Sequence, residues 1–243
     1  MDVHIITTSW DDGHPLDLKI AGLLARYELP GTFYIPRCSQ SNRLAEKEIR
    51  EISQSFEIGA HTLSHRSLTS LSGNEVNPEV EGSKAWIEEV TGKSCRVFAF
   101  PWGKFSGRHV SAVRSAGFVG CRTTELLSLA APLENAGLKI IPTTVQAYSH
   151  PLAAYARNIL RRRAFRNLSV FFRCARAGSW ARCLELILGT WRAHGGVLHL
   201  WGHSSEIDAA GGWLILEDAL SMLHDCRKYG RVMSNGELCA PSG

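Results

Sequence analysis

The chain has 243 residues, 44% of them hydrophobic and 21% charged, a balance that excludes global disorder and supplies a sizeable core without disulfide or metal staples. Its net charge of +4 is too small for a wholly basic nucleic-acid-binding domain, and no apolar run approaches the roughly 18 residues that span a bilayer.

In chain order, strands are expected at residues 4–8, 32–35, 56–60, 97–100, 118–121, 140–145 and 197–201. Helical patterns lie between them at about 16–27, 44–53, 78–91, 107–116 and 213–229. Several strands read as continuous apolar runs, as strands do when helices cover the sheet. Such alternation predicts a parallel sheet with right-handed crossovers, open or closed into a barrel. With no internal repeat and no linker, residues 1–243 are read as one domain.

Residues 150–194 break the rhythm. Helices are expected at 151–163 and 179–193, and residues 165–172 between them mix aromatics with arginines. That is roughly 45 residues where a crossover needs about a dozen, so the segment reads as an inserted helical excursion. Between Glu134 and Glu185 there is no acidic residue at all, against nine positive charges, eight of them the arginines from Arg157 to Arg182.

Two expectations concern the compartment. Asp2 and the polar Thr7–Ser9 run stand where a signal peptide needs a basic end and an apolar stretch, so the chain is expected to stay in the cytoplasm. Seven cysteines with no CxxC pair suit reduced thiols better than a disulfide framework.

The polar, metal-capable residues follow strands. Asp11 and Asp12 follow the first in SWDDGH, His61 and His65 the third in GAHTLSH, Pro101-Trp102-Gly103 the fourth, and His203 the last in LHLWGHSSEID. Active sites of α/β barrels and open parallel sheets are built at these carboxyl ends. Two histidines at i and i+4 on one helical turn can reach one ion, and Asp11 or Asp12 would complete a His₂-carboxylate set.

SWDDG, HTLSH, FAFPWGKF and WGHSSEID, in this order and spacing, resemble the motifs of the NodB-type polysaccharide deacetylases, carbohydrate esterase family 4. The resemblance covers about residues 5–125 and resumes at 196–208. It implies an α/β fold, a distorted (β/α) barrel with about seven strands, here carrying the helical insertion near its C-terminal part. It also implies removal of acetyl groups from N-acetylated amino sugars with a divalent metal. Zn²⁺ suits the ligand set, and Co²⁺ or Ni²⁺ would serve. Carried over by position, Asp11 is the catalytic base, and Asp12, His61 and His65 are the metal ligands. The Trp102 backbone N–H is an oxyanion donor, and His203 is the acid that protonates the leaving nitrogen, with His199 as its rival. Two family positions have no direct counterpart. The third-motif arginine falls in register on Ala99, leaving Arg96, Lys104 or Arg122 to substitute, and the aspartate that orients the acid histidine has only Asp208 and Glu206 as nearby candidates.

The implied substrate is an N-acetylated amino sugar in a glycan or in a lipid-linked or nucleotide-linked precursor, with no nucleic-acid partner. The basic excursion is expected to border the cleft and hold a phosphate-linked substrate through Arg161, Arg162 and Arg163, or else to contact an anionic membrane. The alternative is hydrolysis of another non-peptide C–N bond, in a cyclic amide or ureide, on the same fold. A binding module without turnover is a third reading. A base and an acid beside the ligands argue against it.

Overall fold

In the computed structural model, which describes residues 3–37, 42–135 and 137–240, strands and helices alternate from the start. The order is β1 (His4–Asp11), α1 (Asp17–Arg26), β2 (Thr32–Ile35), α2 (Glu46–Ser55), β3 (Glu57–Ala60), α3 (Gly73–Thr91), β4 (Val97–Ala99), α4 (Gly107–Ser115) and β5 (Gly120–Arg122). After these come β6 (Leu133–Asn135), β7 (Leu138–Ile141) and β8 (Val145–Gln146), then α5 (Leu152–Arg162), α6 (Leu168–Cys174) and α7 (Trp180–His194). The chain ends with β9 (Gly196–Gly202), α8 (Ser204–Ala209), α9 (Trp213–Cys226), β10 (Arg231–Val232) and α10 (Asn235–Leu238).

The parallel strands β5, β4, β3, β2, β1 and β9 are neighbours in that order. One chain segment closes the circuit. Its first part, β7, pairs with β5, and its second, β8, pairs with β9. Counted this way the ring has seven strand positions, matching the distorted (β/α) barrel implied by the motifs. The expected strand at 140–145 is therefore two strands, because Pro142 brings no N–H to a ladder and the chain changes partner there. The short β6 adds an antiparallel edge to β7, and β10 pairs with the lower part of β1.

Alternation along each strand separates two apolar groups. Phe33, Ile35 and Phe98 belong to the large cluster beneath the helices, whereas Tyr34, Val97, Ala99, Ile141 and Cys239 form a small separate one inside the ring. The same period sets Thr7, Ser9 and Asp11 of β1 facing inward. Ser9 Oγ lies 2.9 Å from His199 Nε2. The lumen is thus lined on this side by polar groups that bond one another, which keeps their burial from being costly.

Three expectations change. The helix expected to begin at Pro78 begins at Gly73, because Ser72 and Glu75 form a capping box in which Glu75 accepts from the Ser72 N–H at 2.9 Å. The crossover between β8 and β9 contains three α-helices where two were expected. Cys174 and Cys183 form a disulfide, their Cα atoms 5.0 Å apart, which corrects the expectation of reduced thiols throughout. The turn that folds α7 back on α6 brings two cysteines with no sequence motif into bonding range. Cys95, Cys121, Cys226 and Cys239 are free and buried, and Cys38 lies outside the described residues.

The lower end of the ring is sealed by α10, which the sequence reading missed. Asn235 accepts from Thr7 Oγ1 at 3.0 Å and donates to Tyr34 Oη at 2.9 Å, and its N–H reaches Thr32 Oγ1 at 3.0 Å. The Gly236 N–H donates to Glu57, which also accepts from Thr32, both at 2.8 Å. Asn235→Ala removes a fully buried amide and leaves two buried hydroxyls without that partner. It should destabilise the fold by about 2–3 kcal/mol in urea unfolding, with the m-value unchanged.

Candidate functional site

Each polar residue singled out by position stands at the carboxyl end of its strand, and the ring brings most of them together around one cavity of about 510 Å³. Asp11, Asp12, His61, His65, Trp102 and His203 all line it. The remaining walls include Gln146, His150 and Asn158, so the segment after β8 contributes a side of the cavity.

The two aspartates are separated by backbone conformation. Asp12 takes φ +81° and Gly13 φ +62°, turning the chain sharply as it leaves β1. Asp tolerates the left-handed region better than most residues, and a Cβ at position 13 would meet Ile35 at 2.7 Å. Asp11 stays inside the ring. There it forms a buried ion pair with Arg122, on β5 across the lumen. The Arg122 guanidinium is also stacked over Trp201 at 4.7 Å and Tyr34 at 5.2 Å. Arg122, not Lys104 or Arg96, is therefore the cation on Asp11. Asp11 Oδ1, the other oxygen, is buried without a protein partner.

Asp12 faces the histidines, its Oδ1 3.0 Å from His65 Nε2 and 3.5 Å from His61 Nε2. The three candidate ligand atoms lie within 4.8 Å of one another. Burial opposes the Asp12 charge, but the His61 and His65 hydrogen bonds outweigh it and hold the carboxyl well below the usual range. His61 Nδ1 donates to the Ala99 carbonyl at 2.8 Å, which fixes the ring with Nε2 turned toward Asp12 and His65.

Residues 61–65 do not form the expected helical turn. Thr62 (φ +68°) and His65 (φ +57°) are left-handed, and the loop is clamped from α3. Glu79 accepts from the N–H groups of Leu63 and Ser64 at 2.8 and 2.9 Å, and the His65 N–H reaches Thr62 Oγ1 at 3.0 Å. The i,i+4 spacing still delivers both rings, by a route that its helical rationale did not foresee. Glu79 had no signal in the sequence beyond being a helix carboxylate.

His203 caps the start of α8, with Nδ1 donating to Glu206 at 2.8 Å and Nε2 lying 3.9 Å from both Asp11 and Asp12. Burial opposes its charge, yet the Glu206 hydrogen bond and the Asp11 and Asp12 charges win, raising it to about 9. Glu206 is thus the partner of this histidine, and Asp208 is occupied by the Trp213 indole at 2.8 Å. Glu206 also accepts from Gln146 at 3.0 Å, and Gln146 in turn lies 2.8 Å from His150. His199 is buried inside the ring between Ser9 and the Pro142 carbonyl, and burial with the Arg122 charge pushes it down to about 3. It does not line the cavity. Asp17, which the sequence reading missed, accepts from Ser204 Oγ at 2.5 Å. Burial pushes it up to about 8, and its bond to Ser204 anchors the residue after His203.

Trp102 is left-handed at φ +59°, with its ring exposed and its indole donating to the His65 carbonyl at 3.3 Å. Behind that turn, Arg161 and Arg162 both donate to the Gly103 carbonyl, at 3.1 and 2.5 Å, and Arg162 also reaches Thr124 at 2.9 Å and lies over Phe105. Burial lowers Arg162 to about 10. These arginines brace the Pro101–Gly103 turn and do not line the cavity. Two of the three are engaged with backbone, which departs from their expected role as a phosphate clamp.

The family model described as polysaccharide deacetylase matches residues 1–121. YxkH of Bacillus subtilis (strain 168), named as a polysaccharide deacetylase, is 22% identical over 124 residues, spanning 49% of this chain and 44% of that protein. A Mycobacterium smegmatis structure of the same description superposes with a TM-score of 0.71 at 14% identity, covering 98% of this chain and 89% of that one. A family 4 carbohydrate esterase from Bacillus anthracis gives 0.57 at 16% identity, covering 97% and 82%. BA3943, a CE4 family pseudoenzyme from Bacillus anthracis, gives 0.55 at 14%, covering 98% and 66%. At such identities the likeness is one of fold.

The Asp11–Arg122 pair can be isolated experimentally. Arg122→Met strands a buried carboxylate and should cost about 3–5 kcal/mol in denaturant unfolding. Combining it with Asp11→Asn should recover most of that loss, giving a large coupling energy in the double-mutant cycle.

Proposed function

Since the chain belongs, through its first half, to the polysaccharide deacetylase family, we propose that it is a metal-dependent hydrolase removing the N-acetyl group of an amino sugar. The sugar is carried in a glycan or in a lipid-linked or nucleotide-linked precursor. One observation carries this reading: Asp12, His61 and His65 converge beside a carboxylate with a free buried oxygen and an imidazole held by Glu206. Because a pseudoenzyme shares the fold, these residues and not the barrel are the ground for assigning turnover. The large apolar cluster runs from Ile6 to Cys226, which supports reading residues 1–243 as one deacetylase domain.

Asp12, His61 and His65 would hold the divalent ion, most simply Zn²⁺, with Co²⁺ or Ni²⁺ acceptable to the same ligands. The donor set fits, since it offers one carboxylate oxygen and two imidazole nitrogens, and the Ala99 carbonyl on His61 Nδ1 would leave Nε2 of that ring to an ion. When bound, such an ion acidifies water and polarises a carbonyl oxygen. The residues of the chain divide the rest. Asp11 Oδ1 takes the proton of the attacking water, and Arg122, bonded to the other oxygen, holds that carboxylate in place. The Trp102 N–H donates to the oxygen that gains charge as water adds to the acetyl carbon. His203 Nε2 delivers a proton to the departing nitrogen, so the C–N bond breaks to amine and acetate and not to an amine anion. Glu206 holds the His203 ring and its charge.

Acetate release from free, nucleotide-linked and lipid-linked N-acetyl sugars, with and without chelator, tests the activity. Release that is abolished by chelator and restored by Zn²⁺ is expected. Asp11→Asn should lose turnover by on the order of 10²–10⁴-fold with metal content unchanged, whereas Asp12→Ala should lose the metal itself. An Asp11→Asn enzyme of near wild-type rate would remove the base from this mechanism.

The acid carries a pH signature. His203 acts while protonated, so activity falls as pH rises through its folded value. Glu206→Gln withdraws an acceptor charge and lowers that value. The alkaline limb of the kcat profile should therefore move to lower pH, with the acid limb little changed.

A further inference from the structure

The segment after β8 has an outer side that the cavity does not use. Of the twelve large hydrophobic side chains exposed among the described residues, five lie between Leu152 and Phe172. Three of them, Phe165, Leu168 and Phe172, are 56%, 38% and 70% exposed. At i, i+3 and i+7 they fall on one face of the helical run that ends in α6. The same segment, residues 157–176, also carries exposed arginines. Arg157, Arg163, Arg173 and Arg176 form no ion pair among the described residues. The two carboxylates that pair with arginines of this segment are taken, Glu125 by Arg166 and Glu185 by Arg182.

Exposed phenylalanine and leucine side chains raise the free energy in water, and clustered like charges repel, so both features call for a partner that is apolar and anionic at once. We infer that the Phe165–Leu168–Phe172 stripe, with the arginines of its segment, docks on an anionic membrane surface. The apolar side chains enter the headgroup boundary, and the guanidinium groups lie at the level of the lipid phosphates. A second copy of the chain is the wrong occupant, because a two-fold contact would set the arginines of one copy against those of the other. This inference needs no turnover and stands apart from the chemistry in the cavity, although α5 carries exposed Arg157 on one side and cavity-lining Asn158 beside it.

The test is co-sedimentation of the full chain with vesicles of phosphatidylcholine alone, or with about a third phosphatidylglycerol, at low and high salt. Retention on the anionic vesicles, lost in high salt and absent on phosphatidylcholine, is expected. Arg173→Gln with Arg176→Gln should weaken binding roughly thirty-fold, and the Lys pair at the same positions should restore it. Phe165→Ser with Phe172→Ser should also release the protein, and circular dichroism melts of these surface variants should match wild type. Equal partition onto both vesicle types, or binding indifferent to both pairs, would overturn the proposal. So would a wild-type dimer that the phenylalanine pair converts to monomer in sedimentation equilibrium, which would make the stripe a self-association surface.

Discussion

The Asp11–Arg122 ion pair is the interaction on which the rest of the site depends. It joins β1 to β5 across the ring, with three strands between them in the sheet. Burying either charge alone would be costly, and each offsets that cost for the other. Tyr34 and Trp201 give that guanidinium aromatic faces to rest on. The pair therefore holds Asp11 with one oxygen tied and one oxygen free, while Asp12, one residue later, is turned outward toward the histidines.

Around this pair the site is built from backbone that resists easy relaxation. Asp12, Thr62, His65 and Trp102 all have left-handed φ, a conformation that costs non-glycine residues about 1–3 kcal/mol each where the surroundings do not favour it. Each is over-determined by hydrogen bonds. The Asp12 N–H bonds to Tyr34, the 61–65 loop hangs from Glu79 and Thr62, and the Gly103 carbonyl beside Trp102 takes two guanidinium donors. The strain is thus spread over α3, α5 and the β-strand ends, and the side chains that line the cavity are held in place by the fold itself.

The long crossover between β8 and β9 ties structure to both proposals. Its inner residues form a cavity wall and brace the Pro101–Gly103 turn, and its outer residues form the basic, apolar stripe. One element placed between cavity and surface explains why its arginines cannot be treated as a single group. Arg162 is half-buried and structural, whereas Arg173 and Arg176 are exposed and form no ion pair among the described residues.

The sequence by itself determined which residues stand at the carboxyl ends of which strands, and hence that Asp11, Asp12, His61, His65 and His203 meet. Strand periodicity and motif order are local, and a parallel ring converts them into proximity without further information. The tertiary structure alone decided that Arg122 faces Asp11, that Glu206 and not Asp208 holds His203, and that Glu79 shapes the histidine loop. It also decided that residues 138–146 break at Pro142 to close the ring, and that Cys174 meets Cys183. Each of these depends on contact between segments far apart in sequence or on a turn with no motif of its own. Such contacts follow from how the ring closes and the helices dock, and no period of 2 or 3.6 residues encodes them.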